Sequence, residues 1–287
     1  MAGFTAKPRN TADAPLAANP SGADGFAFIR RCRLLIGIKP NFVGSASTEG
    51  KSVTLAATRN TQTGSYAEKL PTHVVAAAVI DGRGRRLIAQ RPPGKHLAGG
   101  WEFPGGKLKP AEDRRTGLAR ELREELGIEI GAPRPLIRVR HAYDYGDVLI
   151  DMWVVRQYTG EPRGLDGQAL RWCTQDELES VELLPADGPI VAALRLPERL
   201  SHASTGEYVL GRSAEADAAG RLRGVWCSGM ADAMAASDAG ADFLVLRNAL
   251  SHAEITSICE LVAVPVYAPG LALEEAWALG ASGTAEL

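Results

Sequence analysis

The stretch that most constrains this chain runs from Gly106 to Ile128. Leu118, Leu122 and Leu126 recur there every four residues, so one face of a helix is apolar and must be buried. Asp113 offers an N-cap oxygen and Gly127 suits the left-handed position just past a helix end, which bounds the helix to about Arg114–Leu126. On the other face, Glu121, Glu124 and Glu125 stand at i, i+3 and i+4 and project together. Like charges at that spacing repel, and an isolated helix gains nothing from them. Either they form a solvated acidic face balanced by Arg120 and Arg123, or a hard divalent cation sits among them, since magnesium takes carboxylate and phosphate oxygens in one shell. Gly105-Gly106 lets backbone pass close to such an ion, where a carbonyl can complete its shell.

Elements on both sides of this helix predict a layered domain. His73–Ile80 is an apolar run, Asp81-Gly82-Arg83-Gly84 supplies turn chemistry, and Arg86–Gln90 resumes an extended pattern, which together predict a β-hairpin. A Pro/Gly loop over Arg91–Gly100 leads to a short strand at Trp101-Glu102-Phe103. Beyond the helix, strands are expected at Leu136–Tyr143, Val148–Tyr158 and Gln168–Cys173, and helices at Thr174–Ser180 and Asp187–Leu196. The order β-β-β-α-β-β-β-α suits a mixed sheet between helices, an α/β or α+β fold. From about residue 200, short apolar strands at Leu222–Cys227, Phe243–Leu246 and Val264–Tyr267 alternate with helical stretches, the pattern of parallel βα units. Residues 1–70 lack any sustained period and read as a flexible extension.

Composition excludes some functions. A net charge of −2 gives no electrostatic case for a nucleic-acid polymer or an anionic membrane as partner. Cys32, Cys173, Cys227 and Cys259 lie far apart with no C-x-x-C pair, which argues against a zinc site and a disulfide framework. No apolar run approaches the roughly 18 residues of a membrane-spanning helix. Reduced thiols and the lack of a signal-peptide core lead to the expectation of a cytoplasmic protein.

Gly106, five residues, Glu112, seven residues, then Arg120-Glu121-Leu122-Arg123-Glu124-Glu125-Leu126-Gly127-Ile128 matches every fixed position of the Nudix box. Over residues 71–197 the chain resembles Nudix hydrolases and is most similar to the MutT-type branch, which converts 8-oxo-dGTP to the monophosphate and pyrophosphate. Trp101-Glu102-Phe103-Pro104-Gly105-Gly106-Lys107 and Gly160-Glu161-Pro162 with Gly167-Gln168 and Trp172 carry that similarity. The resemblance implies a Nudix fold and Mg²⁺ (or Mn²⁺) held by Glu121, Glu124, Glu125 and the Gly105 carbonyl. It further implies an Arg120–Glu112 brace, and substrate contacts from Arg91, His96, Glu102, Phe103, Gly106 and Lys107. Two positions depart from the branch. Asp166 stands where a loop glutamate is usual, and Asp187 where the bacterial enzymes place a purine-reading asparagine. Asp187 is otherwise a helix N-cap. Another Nudix substrate, such as ADP-ribose or a dinucleotide, stays open, as does a nucleotide-binding sensor without turnover.

Residues 205–287 resemble the later βα units of thiamine-phosphate synthase, through Arg223-Gly224-Val225-Trp226-Cys227-Ser228, Ala239-Gly240-Ala241-Asp242-Phe243 and Pro265-Val266-Tyr267-Ala268. About eighty residues stand against the roughly 200 of a full barrel, and Gly229 replaces the usual histidine, so this partial βα-barrel-like module is expected to make no thiamine phosphate. Its open strand edges are expected to pack on the Nudix domain or on a second copy in a homodimer.

Overall fold

The computed structural model describes residues 70–201, 208–214, 220–247 and 250–287. The extension expected over 1–70 lies outside them except for Leu70, as does the start of the module expected from 205.

The first part of the chain folds in the order β1 (Thr72–Val79), β2 (Arg86–Gln90), β3 (Trp101–Glu102), β4 (Gly105–Lys107), α1 (Arg114–Leu126), β5 (Glu129–Ile130), β6 (Arg134–Tyr143) and β7 (Gly146–Val155). It continues through β8 (Tyr158–Thr159), β9 (Leu170–Cys173), α2 (Gln175–Ser180), a 3-10 turn (Pro185–Asp187) and α3 (Gly188–Ala193). The main sheet has the order β4-β1-β7-β6, with β1 parallel to β7 and antiparallel to β4. Helices cover both faces. Leu118, Leu122 and Leu126 of α1 pack with Val75, Ala77, Val79, Trp153 and Val155, while Leu178 of α2 and Ile190 of α3 pack with Ala78, Ile150, Met152 and Val154. The period-4 leucines therefore do what their spacing requires, and the mixed sheet between helices is the expected α/β architecture.

The hairpin is not as expected. The turn forms, with the Arg83 and Arg85 amides donating to Asp81 Oδ1, but only the Ile80–Arg86 bridge joins its arms. Strand β2 then leaves for a second sheet of order β3-β2-β9. The reason is burial: Val75 to Ile80 are all buried, and a strand buried on both faces belongs inside a sheet between two partners.

The second part contains β10 (Arg199–Ser201), β11 (Tyr208–Gly211), β12 (Leu222–Cys227), α4 (Met230–Asp238), β13 (Phe243–Leu246), α5 (His252–Leu261), β14 (Val266–Tyr267), α6 (Leu273–Ala278) and β15 (Thr284–Glu286). Strands β11-β12-β13-β14 form a parallel sheet, a Tyr267–Gly283 bridge leads on towards β15, and β15 runs parallel to β10. The Tyr208 hydroxyl donates to Ser201 O (2.7 Å) and accepts from Ser201 N (2.9 Å), which ties β11 to β10. All six strands thus surround one apolar interior of Leu200, Tyr208, Leu222, Phe243, Val245, Tyr267 and Ala285. The edges expected to stay open are largely closed this way. Among the described residues, no helix is long and apolar enough to cross a membrane.

Candidate active site

Helix α1 begins at Asp113, whose carboxylate accepts from the Arg115 and Thr116 amides, and ends at Gly127 in the left-handed region (φ 69°). Its acidic face lies against β4. A Cβ on Gly106 would overlap the Glu121 carboxylate, and a Cβ on Gly105 would overlap the β1 backbone at Val75 and Ala76. Gly106 therefore sets how closely a carboxylate approaches the strand, and Gly105 how closely two strands approach each other.

Arg120 organises the charge. Its Nε and Nη2 donate to the two Glu112 oxygens at 2.8 Å each, and Nη1 donates to Glu121 Oε1 (2.7 Å) and Glu124 Oε2 (3.0 Å). Nη2 also reaches Lys107 O at 3.2 Å. Hydrogen bonding from Arg120 and the Lys109 amide pulls the Glu112 carboxyl down to about 2. Glu125 turns the other way and accepts from the Gly105 amide at 3.2 Å. Burial, together with the charges of Glu121 and Glu102, pushes its carboxyl up to about 7.

Among the described residues no three carboxylate, imidazole or thiol groups converge on a common point, because Arg120 draws Glu121 and Glu124 sideways while Glu125 stays on Gly105. Gly105 meets the helix through its N–H. The donor set still suits a hard divalent cation in kind. It is all oxygen, and the half-buried Glu125 has its carboxyl raised by burial and neighbouring negative charge, the environment that a cation relieves.

The loop after β8 closes the end of α1: the Leu165 amide and the Gln168 side chain both donate to Glu125 O, at 3.0 and 3.2 Å. Asp166 on that loop is exposed and faces Lys95 at 3.9 Å. It therefore lies between the two loops that flank the helix. Arg91, expected at substrate phosphate, is committed to Glu102 (2.6 Å) and to the His96 carbonyl (2.8 Å). Burial raises the Glu102 carboxyl despite that partner. Phe103 packs in the same core cluster as Tyr143. It is sealed in the core at 4% exposure, because its side chain falls on the sheet face covered by α3. Lys107 is exposed and contributes its carbonyl.

Asp187 holds the N-cap position of α3 but makes no capping bond. It is 5% exposed and its Oδ2 has no hydrogen-bond partner. Burial, reinforced by the Glu102 charge, raises its carboxyl well above the usual range. Beside it runs a row of rings that sequence reasoning missed. His96 meets Tyr145 edge-on at 4.5 Å, Tyr145 stacks on Tyr143 at 5.0 Å, and Tyr143 meets His141 at 4.3 Å. The only hint in the sequence is Tyr143-Asp144-Tyr145, two rings at a hairpin tip where polar residues are usual.

Residues 75–193 match the NUDIX domain model. The chain is 40% identical over 119 residues to the CTP pyrophosphohydrolase of Escherichia coli, covering 42% of this chain and 88% of that protein. It is 42% identical over 122 residues to the putative 8-oxo-dGTP diphosphatase 2 of Mycobacterium tuberculosis, covering 42% of this chain and 86% of that protein. A solved MutT structure, from work on Aliivibrio salmonicida and Vibrio cholerae, aligns at 29% identity over 44% of this chain and 97% of its own, with a TM-score of 0.39.

Proposed function

The chain belongs to the Nudix hydrolase family, and from that premise we propose that it hydrolyses oxidised purine nucleoside triphosphates, 8-oxo-dGTP first among them, to the monophosphate and pyrophosphate. It is a hydrolase of phosphorus anhydrides with a small nucleotide as substrate. The observation that carries this reading is the placing of Glu121, Glu124 and Glu125 on the one face of α1 that lies over Gly105 and Gly106. A divalent cation, Mg²⁺ in our reading with Mn²⁺ as substitute, would be held by these carboxylates and the Gly105 backbone, and when bound it supplies Lewis acidity to phosphate oxygens and to an attacking water. Arg120 orients Glu121 and Glu124, and Glu112 holds Arg120 in place. Asp187 and the Tyr143–Tyr145 pair form the base end, the rings offering a stacking face and the carboxyl an edge to read.

Asp187 also favours a second reading. An ionised carboxylate accepts from the N1–H and amine of guanine, whereas a neutral carboxyl, the form that burial favours, both donates and accepts, which suits the N3 and amine of cytosine. The Escherichia coli relative is named for CTP. Within this proposal the enzyme works in the cytoplasm, clearing damaged nucleotides before they reach DNA. Residues 71–197 are the catalytic unit, and 205–287 form a βα module docked on it that makes no thiamine phosphate.

Incubation with Mg²⁺ and separate samples of 8-oxo-dGTP, dGTP, CTP, ADP-ribose and NADH, with products resolved, tests these readings together. Monophosphate and pyrophosphate from 8-oxo-dGTP at the highest kcat/KM support the first, and the same products from CTP the second. AMP from ADP-ribose, or binding without products, contradicts both. Glu124→Gln is expected to lower kcat by at least about a hundredfold with the melting temperature nearly unchanged.

A further inference from the structure

On the α1 face of the main sheet the apolar rows give way to charge at one place. Asp151 of β7 points to the same face as Trp153 and Val155, and it is 6% exposed. It pairs in register with Arg138 on β6, whose Nε donates to it at 2.7 Å, and it also takes His73 from β1 and Arg114 Nη1 (3.4 Å) from the first turn of α1. Burial works against this carboxyl's charge, but Arg138, His73 and Arg114 outweigh it and keep it below the usual range.

The two guanidiniums do not stop at Asp151. Arg114 Nη2 donates to Glu260 Oε1 at 3.0 Å, and Arg138 Nη1 donates to the Glu260 carbonyl at 3.0 Å. Glu260 lies in the last turn of α5, in the second part of the chain. Further along β6, Ser282 Oγ donates to Leu136 O (2.5 Å) and Arg134 pairs with Glu198 (2.9 Å). A cavity of about 350 Å³ lies between these contacts, lined by Arg114, Arg138, Trp153, Cys259 and Trp277 among others. The C-terminal βα units therefore meet this corner of the catalytic unit mainly through polar links around a void.

We propose that Glu260 is a positioning residue for the catalytic helix: it clamps the first turn of α1 to the C-terminal βα units, so that the carboxylates on the later turns of that helix depend on a residue outside the catalytic unit. The clamp rests on the reading of α1 as the metal-bearing helix. Leu118, Leu122 and Leu126 already fix the helix from below, so Glu260 adds end-on restraint to an anchored rod. Its expected effect is correspondingly modest.

The test uses the full chain with Glu260→Gln, which keeps the shape, and Glu260→Arg, which reverses the charge against Arg114 and Arg138. Amide hydrogen exchange along α1 is measured beside steady-state kinetics with Mg²⁺ and 8-oxo-dGTP. Exchange at Leu118 to Glu121 is expected to quicken by about two- to fivefold, the size a half-exposed ion pair supplies, with kcat falling by a similar factor and the nucleotide KM unchanged. Unchanged exchange in α1 overturns the clamp, as does faster exchange with kcat unaffected. A wild-type chain inert towards every nucleotide would instead overturn the hydrolase reading, and the exchange data alone would then decide the clamp.

Discussion

Arg120 sits at the centre of the site's charge, and its fork geometry explains why a lysine would not serve. It gives two parallel bonds to Glu112 while a third nitrogen serves Glu121 and Glu124. A lysine ammonium is a point charge and cannot span both. Arg120→Lys is therefore expected to lower kcat by about tenfold and to release Glu112 towards an ordinary carboxylate pKa, measurable by kinetics and by NMR titration of the glutamates. Asp187 yields a prediction of opposite character. Folded Asp187 binds its proton more tightly than the unfolded chain does, with its ordinary pKa of about 3.9. Stability is thus full below about pH 4 and falls as pH rises towards the folded pKa. Asp187→Asn removes that slope, so urea denaturation should find the variant about 1–3 kcal/mol more stable than the parent at pH 8, with the gap closing by pH 4. The three glutamates were legible from helix period and spacing, and the Glu112–Arg120 pair from the family resemblance. Asp187 and His96 came only from the family resemblance, and the Tyr143–Tyr145 stack did not show at all, because β6, β7 and the 184–188 turn meet only through long-range packing.

At the scale of elements, α1 and β4 form one device, and two adjacent glycines play unlike parts in it. The Gly106 clash is with the far end of a flexible side chain, whereas the Gly105 clash is with backbone and adds a φ of +154°. Gly106→Ala should therefore fold with a near-normal melting temperature and lose at least about tenfold in kcat, because Glu121 must swing away. Gly105→Ala should cost several kcal/mol, about 3 or more, and reveal itself as a collapsed melting temperature. Helix α1 could be bounded from its caps, and Asp113 and Gly127 act as those residue types require. Strand β4 could not, since three residues rich in glycine carry no periodic signal. The hairpin expectation failed for a related reason. Turn chemistry at Asp81–Gly84 fixes a reversal of direction, but the pairing of β1 is decided by burial on both faces, which selects β7 and β4.

Over the whole molecule, the βα alternation of the second part was readable from its short apolar runs, while the meeting of β10 with β15 was not. Those strands are short and far apart in sequence, and neither has a pattern of its own. Their pairing, with Tyr208 tied to Ser201, gathers six strands round one interior filled by Tyr208, Phe243 and Tyr267. The account as a whole depends on the three glutamates of α1 leaving Arg120 and Gly105 for a shared cation. Anomalous diffraction from crystals grown with Mn²⁺ and a non-hydrolysable 8-oxo-dGTP analogue reads this directly. The expected result is a manganese peak bonded at about 2.0–2.3 Å to carboxylate oxygens of Glu121, Glu124 and Glu125 and to phosphate oxygen. A peak elsewhere, with Glu121 and Glu124 still paired to Arg120, would contradict it.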